Sequence, residues 1–256
     1  MSCLPWVAAD RPVLPTGSAT MSPGMRTADR YARYLYDCVK CWLNAPVLEI
    51  GCGFGTYTRL LLHHGQVICT DIDTTCLEHV QSRYTGRDIL AAKVDLNSAE
   101  EVRALGRFGA RSVFSTNVFE HVEKDEEAFR ALRSAVTPDA KLCLVVPSHP
   151  RLYGYMDEKA GHFRRYTRCS VAQTLAAAGW RVRRTFYVNA LGGLGWWFNH
   201  QFLRPKPIDS PSINNQLLIY DRLLVPLARM TDWMWRRVFG LSVVAIATND
   251  SCHGNR

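Results

Sequence analysis

The most constraining stretch of this chain is residues 47–62, VLEIGCGFGTYTRLLL. Pro46 launches a short apolar run, 47–50, of the kind that suits a parallel strand covered on both faces. Gly51, Gly53 and Gly55 follow at alternate positions, where a backbone without Cβ atoms can turn sharply and come close to a ligand. Leu60, Leu61 and Leu62 supply the apolar side of a helix after the turn. A strand, turn and helix in this order put free N–H groups and a positive helix end beside whatever binds there. The stretch reads as a nucleotide-type cradle.

The rest of the chain repeats the alternation. Residues 26–43 predict an amphipathic helix with Tyr31, Tyr34, Leu35, Cys38 and Trp42 on one stripe. That stripe packs on a sheet, or one of its tyrosines closes over the cradle ligand. Strands are predicted at 66–71, 89–94, 112–116 and 141–146, with helices from a cap at Thr74 or Thr75 to Tyr84, after Ser98, and over 123–136. Such alternation implies a doubly wound α/β fold, with helices on both faces of a mostly parallel sheet. Residues 147–169, rich in Tyr, His and Arg, read as a long irregular lid. A helix over 170–179, a strand over 181–188 and a last strand over 241–248 follow. Residues 189–239 interrupt the pattern with a Gly/Trp-rich turn, a Pro-rich stretch and an Arg-studded apolar helix pair. Residues 1–25 are expected to be a flexible leader and 26–256 a single domain with lid segments at about 147–169 and 189–239.

Charge is uneven. Residues 151–256 carry 15 Lys and Arg against 6 Asp and Glu, whereas residues 1–150 carry 16 against 17. A basic second half favours an anionic substrate, a membrane surface or nucleic acid as partner. The nine cysteines are an odd count scattered along the chain, so they read as reduced thiols, not a disulfide frame. No run reaches the roughly 18 apolar residues of a membrane span, and no signal-peptide pattern opens the chain. A cytoplasmic protein is expected.

Asp71 ends the second predicted strand, 16 residues after Gly55. In a doubly wound sheet this carboxylate lies beside the cradle and can accept both hydroxyls of a ribose. Asp95 ends the third strand at the same sheet edge, where it can accept from an exocyclic amine or cap the helix after Ser98. The GxGxxG fingerprint of a nicotinamide dehydrogenase would need glycine at 56, where this chain has Thr56. The cradle, Asp71, Asp95 and Asn117-Val118-Phe119-Glu120-His121-Val122 together resemble the ordered motifs of class I S-adenosylmethionine-dependent methyltransferases. The sharper resemblance is to a bacterial type 11/12-like subgroup. Its lid is similar to residues 147–157 and 161–167 here, and its later motifs to Asn189, Trp196-Trp197 and Gly240-Leu241-Ser242.

The resemblance spans about residues 28–248 and implies a Rossmann-like seven-stranded sheet whose last strand is antiparallel. It implies S-adenosyl-L-methionine as cofactor and S-adenosyl-L-homocysteine as product. Glu49, Gly51, Cys52, Gly53 and Gly55 would line the methionine end, Asp71 and Ile72 the ribose, and Asp95 and Leu96 the adenine. Asn117 and Val118 would lie beside the sulfonium. Phe54 and Tyr57 are bulkier than the residues many relatives show.

Methyl transfer to a hydroxyl or ammonium requires loss of a proton, which invites a general base. His121 is the leading candidate, since a helix start nearby would keep its imidazole neutral; otherwise it only packs there. His162, among Arg164, Arg165 and Arg168, is the second, and Tyr153 is a further catalytic candidate. Arg164 and Arg165 would clamp an anionic group on the acceptor, with Tyr155, Tyr166, Asn189, Trp196 and Trp197 also lining its pocket. The helices of 213–239 interleave Leu217, Leu223, Leu224, Trp233 and Trp235 with Arg222, Arg229, Arg236 and Arg237. They build a lid over the acceptor, or they lie on anionic lipid. A small-molecule or lipid-like acceptor methylated at oxygen is therefore expected. Alternatives are a catalytically inactive cofactor-binding partner protein and, less favoured, an RNA methyltransferase; nucleic acid is disfavoured because the aromatics have the spacing of a buried face.

Overall fold

The computed structural model describes residues 28–202 and 220–250, of which 198–202 by backbone alone. The expected leader, the Pro-rich stretch and Leu217 lie outside these bounds. Four consecutive strand–helix units open the fold. They are β1 (Val47–Ile50) and α2 (Thr58–Leu61), β2 (Val67–Asp71) and α3 (Thr74–Arg83), β3 (Ile89–Lys93) and α4 (Ala99–Ala104), and β4 (Ser112–Thr116) and α5 (Asp125–Ser134), preceded by α1 (Asp29–Val39). Then come β5 (Lys141–Pro147), α6 (Tyr155–Ala160), α7 (Arg168–Ala177), β6 (Arg181–Val188), α8 (Ala190–Phe202), α9 (Val225–Trp235) and β7 (Ser242–Thr248).

The seven strands lie in the order β3-β2-β1-β4-β5-β7-β6. The first five are parallel, and β7 runs antiparallel to both β5 and β6. The expected mostly parallel, seven-stranded sheet with an antiparallel last strand is what forms. β1 and β7 are buried at every position, as strands covered on both faces must be. One face carries Phe129 and Leu132 of α5 and Val171 and Leu175 of α7, closed by Trp180. The other carries Tyr31, Tyr34 and Leu35 of α1 with Leu60, Leu61 and Val225. The tyrosine stripe therefore packs against the sheet and the α9 region.

Local chemistry explains the boundaries. Asp73, not Thr74 or Thr75, caps α3, accepting from Thr75 N at 2.9 Å. Ser98 caps α4 and Thr167 caps α7, where Ser170 closes a reciprocal capping box. Two expectations need correction. Residues 147–169 are not irregular throughout, because 155–160 form α6. The Gly/Trp-rich segment is not a turn but α8: Asn189 Oδ1 accepts from Gly192 N at 3.0 Å and starts a helix there. Glycine's poor helix propensity is overridden by packing, since Gly193 leaves room for the Phe239 ring, which a Cβ would approach to 2.7 Å. None of the described helices is long and apolar enough to cross a membrane.

Candidate active site

The parallel strands end together on one sheet edge. Ile50 is in register with Thr70 of β2 and Ser115 of β4, and Asp71 with Lys93 of β3. The segments leaving these strands are therefore gathered at this edge. Gly51 has φ of 71° and packs so tightly that a Cβ there would come within 2.4 Å of Val118 Cγ2. The cradle and the segment after β4 are thus in direct contact. Gly53 and Gly55 share the left-handed conformation.

Asp71 is buried and accepts from Gly53 N at 2.8 Å through Oδ2 and from Asp73 N at 3.0 Å through Oδ1. Each oxygen keeps a second lone pair, so the carboxylate shapes the cradle and can still take two hydroxyls. Burial pushes its pKa up, and the backbone N–H groups oppose that. Glu49 lies deeper. Its carboxylate accepts from Thr58 Oγ1 at 2.6 Å, and burial raises its pKa well above the carboxylate range. It braces the start of α2 from below. Ile72 is half-buried beside Asp71 and Cys52 is buried within the turn. Asp95 Oδ1 accepts from Asn97 N at 2.9 Å and from Asn97 Nδ2 at 3.0 Å. Leu96 and Asn97 form one wall of a cavity of about 270 Å³ whose other wall is Glu123, Lys124 and Glu127. Asn117 is exposed at φ 52°, a conformation asparagine tolerates better than most residues. A glycine cradle without room for a Cβ, closed by a carboxylate with free lone pairs, fits a cofactor bearing a ribose.

Just beyond Val118, a second feature forms. Glu120 is fully buried, and neither of its carboxylate oxygens has a hydrogen-bond partner. His162 Nε2 stands 3.9 Å from Glu120 Oε1, and the His121 and His162 rings meet edge-on with centroids 4.7 Å apart. His162 Nδ1 is 2.8 Å from Asp157 Oδ1, which also receives Arg165 Nε at 2.7 Å. Burial raises the Glu120 pKa to about 7, opposed by His162. Burial, with His162 adding to it, lowers that of His121 to about 4. The expectation of a neutral His121 is matched in direction, but desolvation and not a helix start is the leading cause. Asp157 is pulled down although burial opposes it, because His162 and Arg165 outweigh burial.

The expected acceptor clamp is spent inside the fold. Arg165 is buried, pairs with Asp157 and lies over the Trp196 ring at 4.9 Å. Arg164 pairs with Asp125 at 2.6 Å, and Tyr166, also buried, donates to Asp125 at 2.6 Å. Asn189 is buried at the start of α8, so it is a capping residue. Tyr153 donates to His162 O at 2.7 Å and holds the His162 loop. Trp196 donates to Leu152 O at 3.3 Å, while Tyr155 and Trp197 are exposed. Sequence reasoning overlooked Asp157, whose role depends on a five-residue return to His162. It also gave Glu120 no task; its position in the motif before His121 was the available signal.

Residues 48–142 match the family model of a methyltransferase domain, Methyltransf_12. No curated protein sequence matches the chain significantly. Among solved structures, the chain is similar to an S-adenosylmethionine-dependent methyltransferase from Mesorhizobium loti, at 14% identity over 84% of this chain and 97% of that one, with TM-score 0.55. It is also similar to one from Archaeoglobus fulgidus, at 16% identity over 86% and 94%, with TM-score 0.54. A third is Haemonchus contortus phosphoethanolamine N-methyltransferase 2 in complex with S-adenosyl-L-methionine, at 13% identity over 88% of this chain and 57% of that one, with TM-score 0.58. At these identities the likeness is one of fold.

Proposed function

We propose that the chain, whose residues 48–142 match a methyltransferase-domain model and whose fold is similar to that of S-adenosylmethionine-dependent methyltransferases, is itself such an enzyme and methylates a hydroxyl group of a small or lipid-like acceptor. The cofactor supplies an electrophilic methyl group on a sulfonium. Gly51, Cys52, Gly53 and Gly55 would hold its methionine end over the brace of Glu49. Asp71 and Ile72 would take the ribose, Asp95 and Leu96 the adenine, and Asn117 and Val118 the region of the sulfur. The first task of these residues is alignment, since an in-line displacement is steep in geometry.

The observation that carries the hydroxyl reading is the cluster of Glu120, His121 and His162 beyond Val118. With Nδ1–H committed to Asp157, His162 presents Nε2 as a lone pair able to receive a proton. His121 offers a second such site, and Tyr153 orients the His162 loop. Support for a lipid-like acceptor comes from α9. Leu227, Met230 and Met234 of α9 and Leu223 just before it are all exposed, beside exposed Arg222, Arg236 and Arg237. A basic apolar face of this kind suits an anionic membrane surface better than bulk water.

Two measurements test the reading. Calorimetry with S-adenosylhomocysteine should show one site, weakened at least about tenfold by Asp71→Ala. Release of S-adenosylhomocysteine should then accelerate with hydroxylated small molecules or lipids and yield a methyl ether. Binding without turnover over that acceptor set would instead mark a silent cofactor-binding protein. Turnover on RNA, or an N-methyl product, would also overturn the proposal.

A further inference from the structure

We propose that Glu120, His121 and His162 form a binding site for one divalent transition-metal ion of the zinc class. The three residues offer one donor atom each, all within 4.8 Å of one another. Glu120 is fully buried with both oxygens unpartnered, and His121 Nδ1 is buried without a partner as well. A carboxylate removed from water is strongly disfavoured unless a cation or proton compensates it. The 3.9 Å between Glu120 Oε1 and His162 Nε2 is too long for a hydrogen bond. An ion between them would satisfy both.

The surroundings of His162 have the form that a ligating histidine requires. Such a histidine donates its other ring N–H to a carboxylate, which fixes the tautomer and aims the free lone pair. Asp157 fills that role at 2.8 Å from Nδ1. Arg165, always protonated, holds Asp157 anionic from 2.7 Å, and Asp157 Oδ2 takes a further N–H from Gly154 at 3.0 Å. This leaves Nε2 facing Glu120. Two imidazoles and one carboxylate select zinc-like ions over magnesium or calcium, and they leave a coordination position for water or an acceptor oxygen. Tetrahedral bonds of about 2.0–2.1 Å place neighbouring donors roughly 3.3 Å apart, so the three side chains need only close inward by side-chain rotation. The His162 side chain is 16% exposed, which gives an ion a route in.

Ion binding stands on this cluster alone. Its use in catalysis rests on the methyl-transfer reading: such an ion would acidify an acceptor hydroxyl, which would release its proton to water, and His121 and His162 would then serve as ligands in place of the base role. The test uses the full chain, stripped of metal with a chelator and kept reduced. Calorimetry with Zn²⁺ should find one equivalent, weakened at least about 100-fold in Glu120→Gln and in His162→Gln. Asp157→Asn should weaken it about 10- to 100-fold. Co²⁺ should give visible bands of a four-coordinate site without a thiolate charge-transfer band. The same samples are titrated with S-adenosylhomocysteine, which reports both folding and the cofactor site. Cofactor binding with no Zn²⁺ uptake by the wild type would sink the metal site and leave the methyltransferase reading standing. So would uptake unchanged in the Glu120→Gln/His162→Gln double variant. Zn²⁺ uptake at these residues without cofactor binding would do the reverse.

Discussion

At the scale of single residues, Gly51 offers the cleanest separation of backbone strain from function. A side chain at φ 71° costs about 1 kcal/mol in any setting. At Gly51 it would also drive a methyl group to 2.4 Å from Val118 Cγ2, which must shift the segment carrying Asn117. Gly86 has a similar φ of 75°, and a methyl group added there would meet nothing within 4 Å. Gly51→Ala and Gly86→Ala should therefore both lower stability in denaturant titrations, Gly51→Ala by more. Only Gly51→Ala should weaken S-adenosylhomocysteine binding, by at least about tenfold. Equal affinity in the two variants would show that the Gly51–Val118 contact does not shape the cradle. This also marks how much could be read in the bare chain. The glycine spacing and the 16 residues to Asp71 were legible because both are fixed by local backbone geometry. That Val118 fills the space above Gly51 was not, because it depends on the pairing of β1 with β4. The partners of the arginines were hidden for a related reason: charge counts cannot tell that Arg164 and Arg165 face Asp125 and Asp157.

At the scale of elements, strands and caps follow from short-range chemistry, whereas the region after residue 188 is organised by distant carboxylates. Asp232 of α9 is buried and accepts from the Tyr34 hydroxyl, from Asn189 N and, at 3.0 Å, from Ala190 N. It thereby ties α1 and the start of α8 to α9. Asp221 accepts from Tyr31 N at 2.7 Å and from Arg30 N at 3.4 Å, capping α1 from a segment 190 residues away. No periodicity in the chain announces such caps. Asp232→Ala should cost about 3 kcal/mol in urea or guanidinium titrations, since it strands three buried donors. Asp221→Ala should cost about 1 kcal/mol, the size of an ordinary lost cap. A smaller loss at Asp232 than at Asp221 would contradict this division. Asp37 adds a pH-dependent tie between α1 and α9. Burial opposes its ionisation, but Lys40 at 2.8 Å and Arg229 at 2.9 Å outweigh that and lower its pKa. A depressed carboxylate stabilises the fold above its unfolded pKa of about 3.9 and loses that stabilisation as pH falls through the folded value. Arg229→Gln should therefore flatten the acid limb of the stability curve below about pH 4 and cost less than about 1 kcal/mol at neutral pH.

At the scale of the whole molecule, the two sides of α9 pose the question of where the acceptor is delivered from. Val225, Ala228 and Asp232 recur at helical spacing on the inward side and are buried. Leu227, Met230 and Met234 recur on the opposite side, continued by Leu223 in the turn before the helix, and Met230 and Trp233 are 72% and 73% exposed. A surface helix of a globular domain ordinarily has one apolar stripe; a second, outward stripe is not required by the core. Exposed Arg222, Arg236 and Arg237 border it, and they lie in the half of the chain where basic residues outnumber acidic ones 15 to 6. If this face meets lipid, vesicles containing phosphatidylserine should retain the protein at low salt in sedimentation assays. Binding should weaken as ionic strength rises, because screening shortens the reach of the arginines. Met230→Glu with Leu227→Glu should reduce retention severalfold at every salt concentration by removing the apolar term, without altering S-adenosylhomocysteine affinity, since neither side chain belongs to the cradle. Arg236→Gln with Arg237→Gln should instead flatten the salt dependence. Absence of vesicle binding even at low salt would remove the support for a lipid-like acceptor and leave a freely diffusing hydroxylated molecule as the substrate class to search.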